Sequence, residues 1–246
     1  MAEDRNCLSY WYPKLQASGV LTPRTEIVRT DVDLWPLLDG EKPEGFDELA
    51  AELKEVAGKV GGFPVFLRSG HTSGKHDWKD TCYVEAASEM ASHIVNIFEY
   101  GECTSLMGLP TDVWAVREMI PTIPQFVAFH GGMPITQERR YFFADGMVCC
   151  RHPYWPDVAF AHQSCSTESW RAALRVMNVE TRLEIVMLSE LTEQVAAHFD
   201  GAWSLDWLLG ADGRYWARDM ATAETSWHWP GCPVAKDRGW GMEETE

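Results

Sequence analysis

The pattern of apolar and polar positions is weak before residue 46. That region contains Pro and Trp and one short extended candidate, "TEIVRT". Helical spacing then begins. Phe46, Leu49, Ala50, Leu53, Val56, Ala57 and Val60 recur at three- and four-residue intervals, and Gly61-Gly62 supplies a stop. "FPVFLR" reads as a buried strand, and "SGHTSGKHDWKD" as a flexible Gly/Ser loop carrying Lys75 and Lys79. In "VEAASEMASHIVNIFEY", Ala87, Met90, Ala91, Ile94, Val95 and Phe98 predict a second helix. "VWAVREMI" is a strand stopped by Pro121, "QFVAFHGG" is another, and "ERRYFFADGMVCCRH" is a hairpin around Asp145-Gly146. Residues 153–167 read as irregular. Asn178 is placed to cap a helix over 179–198, with Leu183, Val186, Met187, Leu191 and Val195 as its stripe. A last hairpin, "WSLDWLLGADGRYWARDM", precedes a Trp-rich end. Helices mixed with hairpins predict an α+β fold with antiparallel sheets flanked by helices, rather than a doubly wound parallel sheet.

The two hairpins carry the candidate chemistry. If Asp212-Gly213 is a two-residue turn, Asp206 and Asp219 are direct cross-strand neighbours, with Leu208 opposite Ala217 and Ser204 opposite Ala221. Trp203, Leu205, Trp207 and Leu209 then cover the other face. Facing carboxylates repel, so one binds a proton or a cation sits between them. Two converging carboxylates suit Mg²⁺ with substrate phosphates. A longer turn with a one-residue slip puts them on opposite faces, and a solvated edge tolerates the pair without any metal. The same logic at Asp145-Gly146 sets Arg140 opposite Arg151, with Phe142 and Cys149 on that face, and two guanidiniums beside apolar residues call for an anion. Arg68 closes an apolar strand and leads into the Lys75 loop. That loop is not a Walker A sequence, because Lys75 is followed by His.

Composition narrows the classes. The 246 residues are 46% hydrophobic, enough for a sizeable core in one domain or two lobes, and no repeat occurs at a fixed period. A formal charge of −16 argues against non-specific nucleic-acid binding but leaves room for a small anion in a locally basic cleft. The acidic tail "MEETE" reads as a solvated end. The chain shows neither a signal peptide nor an apolar run of transmembrane length, which predicts a soluble, cytoplasmic protein without a membrane partner. Seven cysteines lack C-x-x-C spacing, and Cys149 and Cys150 would point to opposite faces of a strand. The eight histidines form no zinc spacing, so neither a zinc cluster nor a disulfide framework is expected.

The order of these elements resembles the ATP-grasp superfamily, and within it the branch that includes the eukaryotic cell-division-cycle assembly protein for translation initiation factor 2. The resemblance spans roughly residues 60–225. It rests on "FLRSGHTSGKHDW", "ERRYFF…CCRH" and "WSLDWLLGADGRYWARDM". It implies two α+β lobes enclosing ATP: residues 1–60 completing the fold, 61–120 forming a smaller lobe and 121–246 a larger one. Arg68 with Lys75, or less directly Lys79, would contact phosphates. Glu118, Met119 and Ile120 would line the adenine edge, with backbone hydrogen bonds and apolar contact. Arg140 and Arg151 would hold phosphates or an acyl-phosphate, and Asp206 and Asp219 would carry Mg²⁺. One departure is Ala221, where the family has a metal-binding asparagine; Glu224 or a water would substitute. The implied activity is ATP-dependent ligation of a carboxylate to an amine or thiol through an acyl-phosphate, with the acceptor, a protein or peptide among the candidates, unnamed by the sequence. The alternative is an ATP-binding assembly factor with little turnover. Trp227, His228 and Trp229 would edge the cleft, pack in the core or form a partner patch.

Overall fold

A computed structural model describes residues 4–103 and 108–240. The tail "MEETE" therefore lies outside the described residues. In chain order the elements are α1 (Leu8–Ala17), β1 (Thr25–Arg29), α2 (Phe46–Lys59), β2 (Val65–Ser69), β3 (Tyr83–Val84), α3 (Met90–Cys103), β4 (Val113–Glu118), β5 (Phe126–Ala128) and β6 (Met133–Ile135). They continue with β7 (Glu138–Ala144), β8 (Met147–Pro153), α4 (Trp170–Met177), α5 (Arg182–Ala196), β9 (Ala202–Leu209), β10 (Tyr215–Thr222) and α6 (Pro233–Arg238). Two four-stranded sheets, in the orders β1-β4-β2-β3 and β10-β9-β7-β8, are antiparallel at each strand pair, and β5-β6 forms a small separate ribbon. Among the described residues, no helix is long and apolar enough to cross a membrane.

The first sheet packs against α2 and α3. The predicted face of α2 is buried together with Leu67, Trp114 and Val116 of the strands and Met90, Ile94 and Phe98 of α3. The second sheet lays Trp203, Leu205, Trp207, Tyr141 and Phe143 against α1 and α5. Ala115 of β4 belongs to the same cluster, so α1 packs where the two sheets meet. The opposite face of the second sheet is partly covered by the C-terminal segment around Trp240 and otherwise opens toward the first sheet.

Two sequence expectations about α5 are corrected. Asn178 ends α4, and α5 is capped by Thr181 and starts at Arg182. Thr181 and Glu184 form a reciprocal capping box, in which the hydroxyl accepts from the Glu184 amide and the Glu184 carboxylate accepts from the Thr181 amide. The buried face is also rotated. Glu184, Leu188, Thr192 and Val195 point inward, whereas Leu183 is 79% exposed and Val186 and Met187 are also exposed. The cause is polar. Fully buried Arg139 needs a carboxylate, and Glu184 supplies it at 2.8 Å while also accepting from the Tyr215 hydroxyl. Thr192 accepts from the Trp207 indole at 3.0 Å. Leu188→Ala is expected to cost about 2–5 kcal/mol in denaturant unfolding, whereas Leu183→Ala stays within about 0.5 kcal/mol.

Candidate functional site

The site is built by two strand irregularities. In the β9–β10 hairpin the turn is longer than two residues: the Gly210 amide donates to the Arg214 carbonyl, and Leu209 pairs with Tyr215. Near the turn, Leu208 therefore faces Trp216, and Ala217 faces Trp207 rather than Leu208. A β-bulge between Ala217 and Asp219 then shifts the register by one. Asp206 faces Asp219 and Ser204 faces Ala221, as expected, but because two offsets cancel. The bulge also turns Arg218 and Asp219 together into the cleft, while Ala217 and Met220 on either side point into the core.

In the β7–β8 hairpin the turn is the expected two-residue one, with Asp145 at φ 53° and Gly146 at φ 79°, and Ala144 faces Met147. A bulge next to Phe143 then moves every later pair. Phe142 faces Cys150, Tyr141 faces Arg151, and Arg140 faces His152. Arg140 and Arg151 thus lie on opposite faces, and the expected convergence does not occur. Arg151 instead lies 3.4 Å from Glu180. Cys149 and Cys150, expected on opposite faces, both pack against the C-terminal cluster.

Arginines answer the repulsion between the facing aspartates. Arg140 Nε and Nη2 donate to the two oxygens of Asp206 at 2.7 and 2.9 Å. Arg68 Nη1 donates to Asp219 Oδ1 at 2.7 Å, crossing from β2 of one sheet to β10 of the other. Burial alone would raise the Asp219 pKa. The charges of Arg68, Arg218 and Arg117 outweigh it and hold the carboxyl at about 2. Arg117, buried on β4, donates through Nη1 to the Arg218 carbonyl at 2.7 Å. Burial first, then the neighbouring Arg68 charge, lower the Arg117 pKa to about 10, so it stays protonated at neutral pH. Arg218 lies 3.1 Å from buried Glu138, which also accepts from the Trp155 indole. Arg117 Nη2 and Arg218 Nε are buried without a hydrogen-bond acceptor.

The cleft beside these groups is lined by charged and apolar side chains together. Its charged lining is Arg68, Lys75, Arg117, Arg218, Glu138 and Asp219, and its apolar lining is Phe66, Met119, Ile120, Met133 and Leu208. Lys75 reaches across from its loop to donate to the Tyr154 hydroxyl, and it stands 4.2 Å from the centre of that ring. Arg140 and Arg218 approach the same ring at 4.7 and 5.5 Å. Gly74, at φ 60°, lets the loop fold back on Thr81, where a Cβ would come within 2.9 Å.

Of the residues expected at the site, Arg68, Lys75, Glu118, Met119, Ile120 and Asp219 share this cleft, and Asp206 faces Asp219 at its edge. Glu118 is already engaged. Its carboxylate accepts from Arg24, and its amide donates to the Arg24 carbonyl. Lys79 is exposed and lies outside the cleft lining, and Arg151 is on the far face. Glu224 is exposed in the turn after β10. Trp227 lines an adjoining pocket with Lys75, Arg140 and Tyr154, whereas His228 is buried against Phe142. Sequence reasoning missed Arg117, Arg218, Glu138 and Tyr154. An arginine inside the apolar "VWAVRE" strand was a usable signal for Arg117, whereas Arg218 reaches the cleft only through the bulge.

No protein-family model matches the chain, and no curated protein matches it. The fold, two α+β halves with antiparallel sheets around a cleft, is the ATP-grasp fold. Among solved structures it is similar to Cdc123 from Schizosaccharomyces pombe, with a TM-score of 0.57 and 13% identity over 98% of this chain and 93% of that one. C-terminally truncated Cdc123 from the same organism gives 0.55 and 14% identity, covering 93% and 86%. D-alanine–D-alanine ligase from Bacillus anthracis, complexed with ATP, gives 0.49 and 13% identity, covering 95% of this chain and 59% of that one.

The Arg68–Asp219 pair has a pH signature. Because the folded-state pKa of Asp219 is depressed, its contribution is complete above the unfolded value of about 4 and is lost as pH falls toward about 2. Removing Arg68 raises that pKa. Acid unfolding of Arg68→Gln, followed by circular dichroism, is expected to begin at higher pH than that of the unaltered protein.

Proposed function

We propose that the cleft binds ATP with Mg²⁺ and that the protein is an ATP-dependent ligase joining a carboxylate to an amine or thiol through an acyl-phosphate. The observation that carries the nucleotide is local charge. In a chain of formal charge −16, Arg68, Arg140 and Arg218 pair with three carboxylates, Asp219, Asp206 and Glu138, and Lys75 and Arg117 add two further cations to the cleft lining. Two of these guanidiniums keep a buried N–H without an acceptor. Such a surplus suits a polyphosphate, and the apolar side chains of Phe66, Met119, Ile120, Met133 and Leu208 in the same lining suit a base.

The donor set also fits the metal. Asp206 and Asp219 present facing carboxylates beside phosphate-binding cations, which is the oxygen chemistry Mg²⁺ takes. Mg²⁺ held there would neutralise charge on the transferring phosphoryl group. Arg68 and Arg140, now paired with these aspartates, would turn to phosphate oxygens once the carboxylates engage a cation. Arg117 and Arg218 would hold the charge that develops during transfer. Lys75, anchored by Tyr154, would fix the loop over the phosphates.

A second reading, an ATP-binding assembly factor for a protein partner, is favoured by the exposed Leu183, Val186 and Met187 on one face of α5. Ala221 in place of a metal-binding asparagine supports it too. Turnover separates the two: a ligase releases ADP and phosphate when its acceptor is present, and an assembly factor retains ATP.

Calorimetric titration of ATP with and without Mg²⁺ tests the shared part. Mg²⁺-dependent binding in the micromolar range, roughly −8 kcal/mol, is expected, and no binding in either condition overturns both readings. Asp206→Asn is expected to weaken binding with Mg²⁺ far more than binding without it. Equal loss in the two conditions would remove the metal role.

A further inference from the structure

The bulge that separates Arg140 from Arg151 has a second result. It turns Cys150 and His152 of β8 to the face covered by the C-terminal segment, where His228 and Cys232 arrive from the stretch before α6. The ligand atoms of these four side chains all lie within 4.8 Å of one another. His228 and Cys232 are buried, and Cys150 and His152 are half-buried. Nε2 of His152 and both ring nitrogens of His228 are buried with no hydrogen-bond partner. Unpartnered imidazole nitrogens carry a desolvation cost, and one metal ion would remove it for His152 Nε2 and for one nitrogen of His228. The His228 ring is fixed by stacking on Phe142 at 3.6 Å and by Trp240 at 5.9 Å. All seven cysteines are free thiols, so no disulfide accounts for the pairing of Cys150 with Cys232.

We propose that Cys150, His152, His228 and Cys232 bind one zinc ion in a closed Cys₂His₂ site, separate from the nucleotide cleft. Two thiolates and two imidazoles at one point are a zinc donor set, and the soft sulfur ligands disfavour Mg²⁺ or Ca²⁺. Four protein ligands fill a tetrahedral shell and leave no position for substrate, so the role is structural. Each thiol gives up its proton to solvent as it binds, so the site loads with release of two protons.

The position explains what such an ion would do. The apolar cluster under the C-terminal segment is small: Phe142, Ala144, Ala223, Cys232, Ala235 and Trp240. A zinc ion would fasten this segment to the outer strand of the second sheet. The residues flanking His228 reach the cleft wall, since the Trp227 carbonyl accepts from Arg140 and the Trp229 indole donates to the Pro153 carbonyl at 2.7 Å. The site thus secures the backbone beside Arg140 and the pocket that Trp227 lines.

The test uses the full chain, without a histidine tag, purified under reducing conditions and without chelator. Plasma emission analysis is expected to find about one zinc per chain. Exchange for Co²⁺ is expected to give thiolate-to-cobalt charge transfer and the intense visible bands of a tetrahedral centre. Chelation of the zinc is expected to lower the Tm. Cys232→Ser should lose the cobalt spectrum, and His152→Gln, which keeps both thiolates, should retain charge transfer with weaker affinity. The cobalt spectrum of the unaltered chain decides the question even where a variant fails to fold. Folded protein with neither zinc nor a cobalt spectrum overturns the proposal, as does a Cys150–Cys232 disulfide in the reduced preparation.

Discussion

Asp206 and Asp219 stand opposite each other on neighbouring strands, a placement that costs stability unless something cancels the charge. The cancellation comes from outside the hairpin. Arg140 reaches Asp206 from the adjacent strand of the same sheet, and Arg68 reaches Asp219 from the other sheet. The pair is therefore also a tie between the two halves of the molecule, reinforced where Arg117 donates to the Arg218 carbonyl. Buried ions of this kind add little over a well-packed apolar core, but losing one partner strands the other in a poorly solvated place. The cleft is consequently a set of mutually dependent charges, and a group that displaces one arginine must compensate the carboxylate it leaves.

The sequence was most legible where side chains obey one period and no buried charge interferes. The burial of α2 follows its apolar spacing, the Asp145-Gly146 turn has the backbone its residues favour, and Arg68 from the end of β2 and Lys75 from the following loop both reach the cleft. Legibility failed where an extra residue enters a strand. The Asp206–Asp219 register came out right through two compensating offsets, and the Arg140–Arg151 register wrong through one uncompensated offset. Neither bulge is marked by Gly or Pro, so alternation alone could not locate them.

Long-range demands misled the reading of α5 and of the cysteines in the same way. Arg139 requires Glu184 on the inner face and so rotates a helix whose apolar residues by themselves suggest another orientation. Cys150 and His152 meet His228 and Cys232 of a distant segment only because a bulge turns them toward it. The mixed α and β class, Arg68 and Lys75 were legible in local pattern, whereas Arg218 was not. Which face a charged or sulfur side chain occupies was decided by its partner.

The bulge at Arg218 has a consequence for comparing this chain with others. Downstream of it, every residue of β10 sits one position later than the turn would assign. A chain of the same fold without the extra residue would place its equivalent of Asp219 one step earlier. Written side by side without a gap, the two sequences would match a cleft carboxylate with a core residue. Correct correspondence requires a gap in the middle of a strand, where gaps are least expected, and there spatial superposition is the surer guide to which acids are equivalent.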